Sequence, residues 1–245
     1  MINFSNIDKV FSHAEKKKRS YLLEHEVYQI LKECGLNVPR FLFLEKNRKA
    51  AEKDLLPFKG NIVVVKVVAP IIVHKTDVGG IRFVSSDADA VNKACRNMLE
   101  NIPRKYRDWA GRFQRHESKK VPSLARIEKE IEGFLICESV EYDKTGFGTE
   151  LLLGIRNSRD FGPVVTMGVG GIEIEYLSER IKEGKALSIG SPHILLKKDI
   201  LRILEPLAVY DKLVGKVRGK EALTTKEAKF AGIMGRLNRS ICFAI

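Results

Sequence analysis

The sequence predicts an α+β protein of two lobes, and three observations carry that prediction. Apolar residues at one-face helical spacing and β-branched runs alternate through the first hundred residues. A highly charged stretch, 103–130, then interrupts the pattern. Beyond it comes a glycine-punctuated cluster of strand-like segments, and the chain closes in helices. A ligand held between the lobes is the default expectation for such an arrangement.

Residues 1–19 read as a lead-in ending in a basic run, Lys16 to Arg19. From Ser20 a helix is expected: Leu23, Val27, Ile30, Leu31 and Cys34 share one face, and Gly35 stops it. "NVPRFLFL" reads as a short strand and 47–55 as a second helix. "NIVVVKVV" has the β-branched composition of a buried strand, and "GGIRFV" reads as its neighbour. Ser86 is placed to cap a helix whose apolar face is Val91, Ala94, Cys95, Met98 and Leu99.

The stretch from Pro103 to Glu130 holds nine Lys/Arg against four Asp/Glu and reads as an exposed, helix-rich connector. "GFLICESV", "TELLLGI", "GPVVTMGV" and "IEIEYL" read as strands separated by glycines. A helix near 197–214 disturbed by Pro206 comes next, and a last one is opened by the capping box "TTKE". The implied divisions are a lead-in 1–19, a first part 20–102, the connector 103–130 and a second part 131–245.

The 245 residues, 44% of them apolar, suffice for one large or two small packed cores. The net charge of +12 points toward anionic partners without choosing among them. Cys34, Cys95, Cys137 and Cys242 are widely spaced, with no zinc pattern and no disulfide framework, so they read as reduced thiols of a cytoplasmic protein. No apolar run reaches membrane-spanning length, and the N-terminus has no apolar signal region. Tyr106, Trp109 and Phe113 among basic residues raise nucleic acid as a partner, but a solvated amphipathic helix accounts for them better.

Chemistry concentrates in "VKVVAPIIVHKTDVGGIRFV". Lys66 interrupts an apolar strand; it either faces water on a sheet edge or aims its charge at an anion. The following turn, His74-Lys75-Thr76-Asp77 and then Gly79-Gly80, offers an ammonium, a hydroxyl and backbone amides to a phosphate, or it is a plain hairpin. It lacks the spacing of a Walker A loop. His74 is either structural or a nucleophile for a phosphoryl group. Glu138 and Glu150 sit at strand ends, as surface carboxylates or as acceptors for a ribose.

Together "VKVVAPIIVHKTDVGGIRF" and "GTELLLGIRNSRDFGPVVTMGVGGIEIE" resemble the ATP-grasp domain of ADP-forming acyl-CoA (acetyl-CoA) synthetases of the β-subunit type. They are more distantly similar to the succinyl-CoA synthetase β subunit. The resemblance runs from about Tyr21 to Arg218. It implies two α+β lobes with ATP or ADP between them, a phosphohistidine, Mg²⁺, and a CoA-binding α-type subunit or domain as partner. It implies that Lys66, Lys75, Thr76, Gly79 and Gly80 handle the phosphates and that His74 accepts phosphate. Glu138 and Val140 would lie at the adenine–ribose hinge and Glu150 on the ribose hydroxyls. Gly168, Gly170 and Gly171 would form the loop over the phosphates.

Asn157 and Ser158 stand where the family has Asp-Pro. The family's metal-holding strand carries Asp-x-Asn-Pro or Glu-x-Asn-Pro, and no such motif occurs in the 245 residues. The expected fold is therefore ATP-grasp without that C-terminal strand, and the magnesium ligands are not identifiable. A nucleotide-binding regulatory subunit without catalysis is the alternative expectation.

Overall fold

A computed structural model of the chain describes residues 2–113, 121–140, 151–170, 180–191 and 202–217. The chain forms two compact units. One comprises His13–Lys32 and Asn37–Glu141, the other Met1–Ser12, Glu33–Leu36 and Tyr142–Ile245. Helices and antiparallel sheets are both present, in agreement with the α+β reading.

The first of these units is built on a four-stranded antiparallel sheet ordered β1-β4-β2-β3. Its strands are β1 (Phe41–Glu45), β2 (Ile62–Val68), β3 (Ile81–Ser85) and β4 (Gly133–Glu138). β2 and β4 are central, with Lys66 opposite Leu135 on one side and Ile81 on the other. Strand alternation gives β2 two different faces. Val63, Val65 and Val67 join Phe134 and Ile136 in the larger core. Val64 and Val68 join Leu135 and Cys137 in a smaller one with Leu23, flanked by Tyr28, Phe41 and Phe43.

The larger core is closed by α4 (Ala88–Phe113) and α5 (Leu124–Glu130). α4 contributes Val91, Cys95, Met98, Ile102, Tyr106 and Ala110, one face over about five turns of helix, and α5 contributes Ile127. The smaller core is covered by α2 (Glu24–Glu33) through Leu23 and Tyr28. The His25 ring lies flat on Phe43, with centroids 3.8 Å apart. A four-residue α3 (Glu52–Leu55) packs Leu55 into the larger core.

In the other unit, β5 (Leu151–Ser158), β6 (Gly162–Val169) and β7 (Leu187–Gly190) form an antiparallel meander. Arg159, Asp160 and Phe161 make the hairpin between β5 and β6. Val164, Val165, Met167 and Val169 are buried, as are Leu204, Leu207 and Tyr210 around the short α6 (Tyr210–Leu213). The expected helix across Pro206 is instead helical at 202–204, turns through Pro206 and resumes at Tyr210.

Several expectations are corrected. The lead-in, to which the sequence reading assigns no helix, holds one: Phe4–Lys16 is helix α1, with Ile7, Val10 and Ala14 buried, and their i, i+3, i+7 spacing is the signal its polar composition hides. The cap of α4 is Asp87, whose Oδ1 accepts the Ala90 N–H at 2.7 Å; the Ser86 N–H goes to Asn61 O. Pro103 does not begin a connector, because α4 runs through it. An interior proline costs about 3 kcal/mol, and the buried stripe from Val91 to Ala110 outweighs that. The boundary drawn at 130/131 falls inside a unit, since β4 is apolar on both faces and fits only as a central strand between β1 and β2. The "IEIEYL" strand and the "TTKE" helix lie outside the described residues.

Ile136 is fully buried against the α4 face. Ile136→Ala is expected to lower unfolding stability by about 2–5 kcal/mol in a denaturant titration, whereas Ile136→Val costs about 1 kcal/mol.

Candidate functional site

Lys66 occupies the same face of β2 as Val64 and Val68, the face that α2 covers. β2 is paired on both sides, so the edge-strand option for Lys66 is removed. An ammonium there is largely withdrawn from water and requires a counter-charge. The partner comes from α2. Lys66 Nζ donates to Glu24 Oε1 at 2.7 Å, and Lys75 Nζ donates to Glu24 Oε2 at 2.6 Å. One carboxylate thus holds two lysines from different segments, and all three side chains keep 23% of their surface exposed. Lys66 Nζ also lies 6.0 Å from the centre of the Tyr28 ring, whose hydroxyl donates to Glu24 Oε1 at 3.4 Å.

Glu24 is free for this because its neighbour secures the helix. Glu26, at the third helical position, accepts the Leu23 N–H at 2.7 Å, half of a capping box. It also takes a bidentate pair from Arg19 at 2.8 and 2.6 Å, with both partners nearly buried. α2 is therefore anchored by one first-turn acid, and the other reaches toward β2.

The charges respond accordingly. Burial by itself would raise the Glu24 carboxyl, but Lys75 and Lys66 outweigh it and hold the group below the usual carboxylate range. Burial would lower the Lys66 ammonium, but the charge and hydrogen bond of Glu24 outweigh it and raise the group above the usual lysine range. The Cys137 thiol beside them is pushed up to about 11 by burial, against the opposing pull of Lys66.

Lys75 belongs to the turn joining β2 to β3. The turn is closed by its own backbone: the Gly79 N–H donates to Thr76 O at 3.1 Å and the Gly80 N–H to Lys75 O at 2.7 Å. The Gly79 and Gly80 amides, expected to cradle phosphate, are used within the turn here. What the glycines supply is shape. Gly79 has φ +71°, and a Cβ on Gly80 would sit 2.7 Å from Val67 Cγ1 and 3.0 Å from the Lys75 carbonyl. Val78 is fully buried and pins the turn to the larger core.

His74 and Thr76 are exposed. The His74 ring rests 5.2 Å from Trp109, which in turn lies 5.8 Å from Tyr106. Tyr106 is 4% exposed and belongs to the core, so it is not an open platform for a nucleic-acid base.

Glu138 is half-buried at the end of β4, opposite Val63, and its carboxylate accepts the Arg40 N–H at 3.3 Å. Val140 is exposed. Gly170 is buried just after β6, in the other unit. Glu150 and Gly171 lie outside the described residues, as do Glu173 and Glu175. Among the described residues no group of three or more His, Cys, Asp or Glu forms a metal site, and no helix is long and apolar enough to cross a membrane. Glu24 was missed by sequence reasoning. Its only signal is the pair of acids in "LLEHE", and nothing local tells which of the two reaches outward.

The donor set is thus cationic and partly open, suited to an anion. Comparison with known proteins agrees with that. A family model described as an ATP-grasp domain matches residues 13–113 and 118–239, and the chain belongs to this family. It is 33% identical over 178 residues to the ADP-forming 4-hydroxybutyrate–CoA ligase of Nitrosopumilus maritimus (strain SCM1), covering 73% of this chain and 22% of that protein. It is 28% identical over 209 residues to the ADP-forming acetate–CoA ligase I subunit beta of Pyrococcus furiosus, covering 84% of this chain and 73% of the subunit. A solved structure of Ca. Korarchaeum cryptofilum ACD1 in complex with coenzyme A superposes with a TM-score of 0.64 at 25% identity, covering 97% of this chain and 87% of that one. The chain thus spans about a fifth of the length of the Nitrosopumilus relative.

The Lys66–Glu24–Lys75 bridge has a definite pH signature. The lowered Glu24 contributes stability that is fully present above the ordinary carboxylate range and lost as pH falls through its depressed value. The raised Lys66 contributes stability present below the ordinary lysine value and lost as pH rises through its elevated one. Glu24→Gln is expected to cost about 2 kcal/mol at neutral pH. The gap to the unaltered protein should stay flat between about pH 5 and 10 and shrink below about pH 4, read by denaturant unfolding across pH.

Proposed function

We propose that the chain is the nucleotide-binding component of an ADP-forming acyl-CoA synthetase, a ligase of acid–thiol bonds. In this reading His74 carries phosphate between the nucleotide and a CoA-binding α-type subunit or domain. The observation that carries it is the meeting of Lys66 and Lys75 on one carboxylate, with Lys75 next in sequence to the exposed His74 on a backbone-closed turn. The names of the two relatives, both ADP-forming CoA ligases and one a subunit beta, support the class and the need for a partner.

The chemistry asks little of the protein beyond position and charge. Toward ATP, the P–N bond of phosphorylated His74 breaks, and a P–O bond forms to the terminal phosphate oxygen of ADP. In reverse, an imidazole nitrogen attacks the terminal phosphorus of ATP, ADP leaves and the ring gives up its proton. Lys66 and Lys75 offset the phosphate charge, with Thr76 as a hydroxyl donor. Glu138, Val140, Glu150, Gly170 and Gly171 remain proposed contacts to the rest of the nucleotide. When bound, Mg²⁺ would neutralise further phosphate charge; none of the described residues is assigned to hold it.

Incubation with γ-³²P-ATP, Mg²⁺ and a CoA-binding partner is expected to place acid-labile label on the protein, and His74→Asn removes it. If label never appears although nucleotide binds, the catalytic reading is lost in favour of a nucleotide-binding regulatory subunit. Calorimetric titration separates the same two readings. The ligase component should lose about tenfold or more in ATP affinity when Mg²⁺ is withdrawn, while a regulatory subunit without the metal site should show little change.

A further inference from the structure

We propose that Glu24 is the resident counter-anion of the Lys66/Lys75 pair, which an incoming phosphate must displace, and that it thereby sets an affinity threshold that keeps weakly bound anions such as inorganic phosphate off the site. The inference rests on the phosphate-site reading above and adds to it a residue that sets its affinity threshold.

The geometry is that of an occupied anion site. Each carboxylate oxygen takes one ammonium, at 2.7 and 2.6 Å, so the two charges expected to grip a ligand already grip Glu24. The trio carries a net charge of +1 in place of +2. The three side chains are equally accessible at 23% of their surface, so an exchange of anions requires no opening of the core. Released, the carboxylate has somewhere to go. It stays in the first turn of the ten-residue helix α2, where the helix dipole favours a negative charge, with the Tyr28 hydroxyl one turn on. The helix does not depend on it, because Glu26 holds the Leu23 N–H and Arg19.

Selection follows from competition. A single phosphate offers the two lysines little more than the carboxylate it replaces. A diphosphate or triphosphate brings added charge and enough oxygens to bridge both ammoniums while making further contacts. Glu24 thus weakens every displacing anion by the same factor, and only those with added contacts still bind at ordinary concentrations.

The experiment is calorimetric titration of the full chain with inorganic phosphate, pyrophosphate and ADP at fixed ionic strength. Glu24→Gln keeps the shape and removes the charge. It is expected to tighten inorganic phosphate and pyrophosphate each about tenfold, leaving the preference between them unchanged. Adding Lys75→Met to Glu24→Gln should abolish the gain. Unchanged or weaker phosphate binding in Glu24→Gln overturns the proposal, as does a variant that binds neither phosphate nor pyrophosphate. A measurement on the unaltered protein covers the case of a poorly folding variant. Saturating pyrophosphate should shift the Glu24 carboxylate resonance in ¹³C-glutamate spectra, and a resonance that does not move rules out displacement.

The two readings fail separately. If ADP does not bind but the Glu24→Gln gain for phosphate is seen, the nucleotide reading falls and the role of Glu24 stands. If ADP binds normally and the gain is missing, the role of Glu24 falls alone.

Discussion

A lysine in the middle of a central β-strand is the constraint on which this site depends. β2 is hydrogen-bonded on both edges and packed on both faces, so the Lys66 side chain is largely withdrawn from water, unlike one on an edge strand. An unpaired ammonium there would be costly, and the structure offsets it with Glu24 from α2. That pairing explains more than one salt bridge. It draws α2 onto the smaller core, it captures Lys75, and through Lys75 it sets where the β2–β3 turn lies.

The turn shows how a short polar segment becomes a fixed platform. Val78 anchors it to the larger core from below, and the Gly79 and Gly80 amides close it from within. With those two amides engaged, the lysine side chains are the charged groups that the turn and β2 can offer an anion. This differs in kind from glycine-rich phosphate loops, whose amides point at the ligand. A side-chain grip is adjustable, because an ammonium has three protons and a rotatable stem, and one anion can be exchanged for another without rebuilding the backbone. His74, exposed on the same turn and resting against Trp109, is carried on that platform without being buried by it.

Parts of this were legible beforehand because they depend on local pattern. The run "IVVVKVV" announces a buried strand, and His-Lys-Thr-Asp before two glycines announces a polar turn. Lys66 and Lys75 could be singled out as misplaced charges. Other parts were not legible, for identifiable reasons. α1 was hidden by its charged residues, although Ile7, Val10 and Ala14 already had helical spacing. Pro103 reads as a break in any local rule, and only the buried stripe along α4 overrides it. β4 follows the charged stretch in the chain and looked like the start of something new. Its place between β1 and β2 depends on partners 65 to 96 residues away.

The sequence by itself determined the α+β class, the strand–turn–strand that bears the lysines and the histidine, and the family to which these motifs point. Each follows from short-range periodicity or from residue types at fixed spacing. The tertiary structure alone decided that Lys66 and Lys75 share one carboxylate, that this carboxylate is Glu24 and not Glu26, and that the glycine amides serve the turn. Those are questions of which groups meet when α2 is laid on the sheet. Glu24 is 42 residues from one lysine and 51 from the other, and no local pattern encodes so distant a contact.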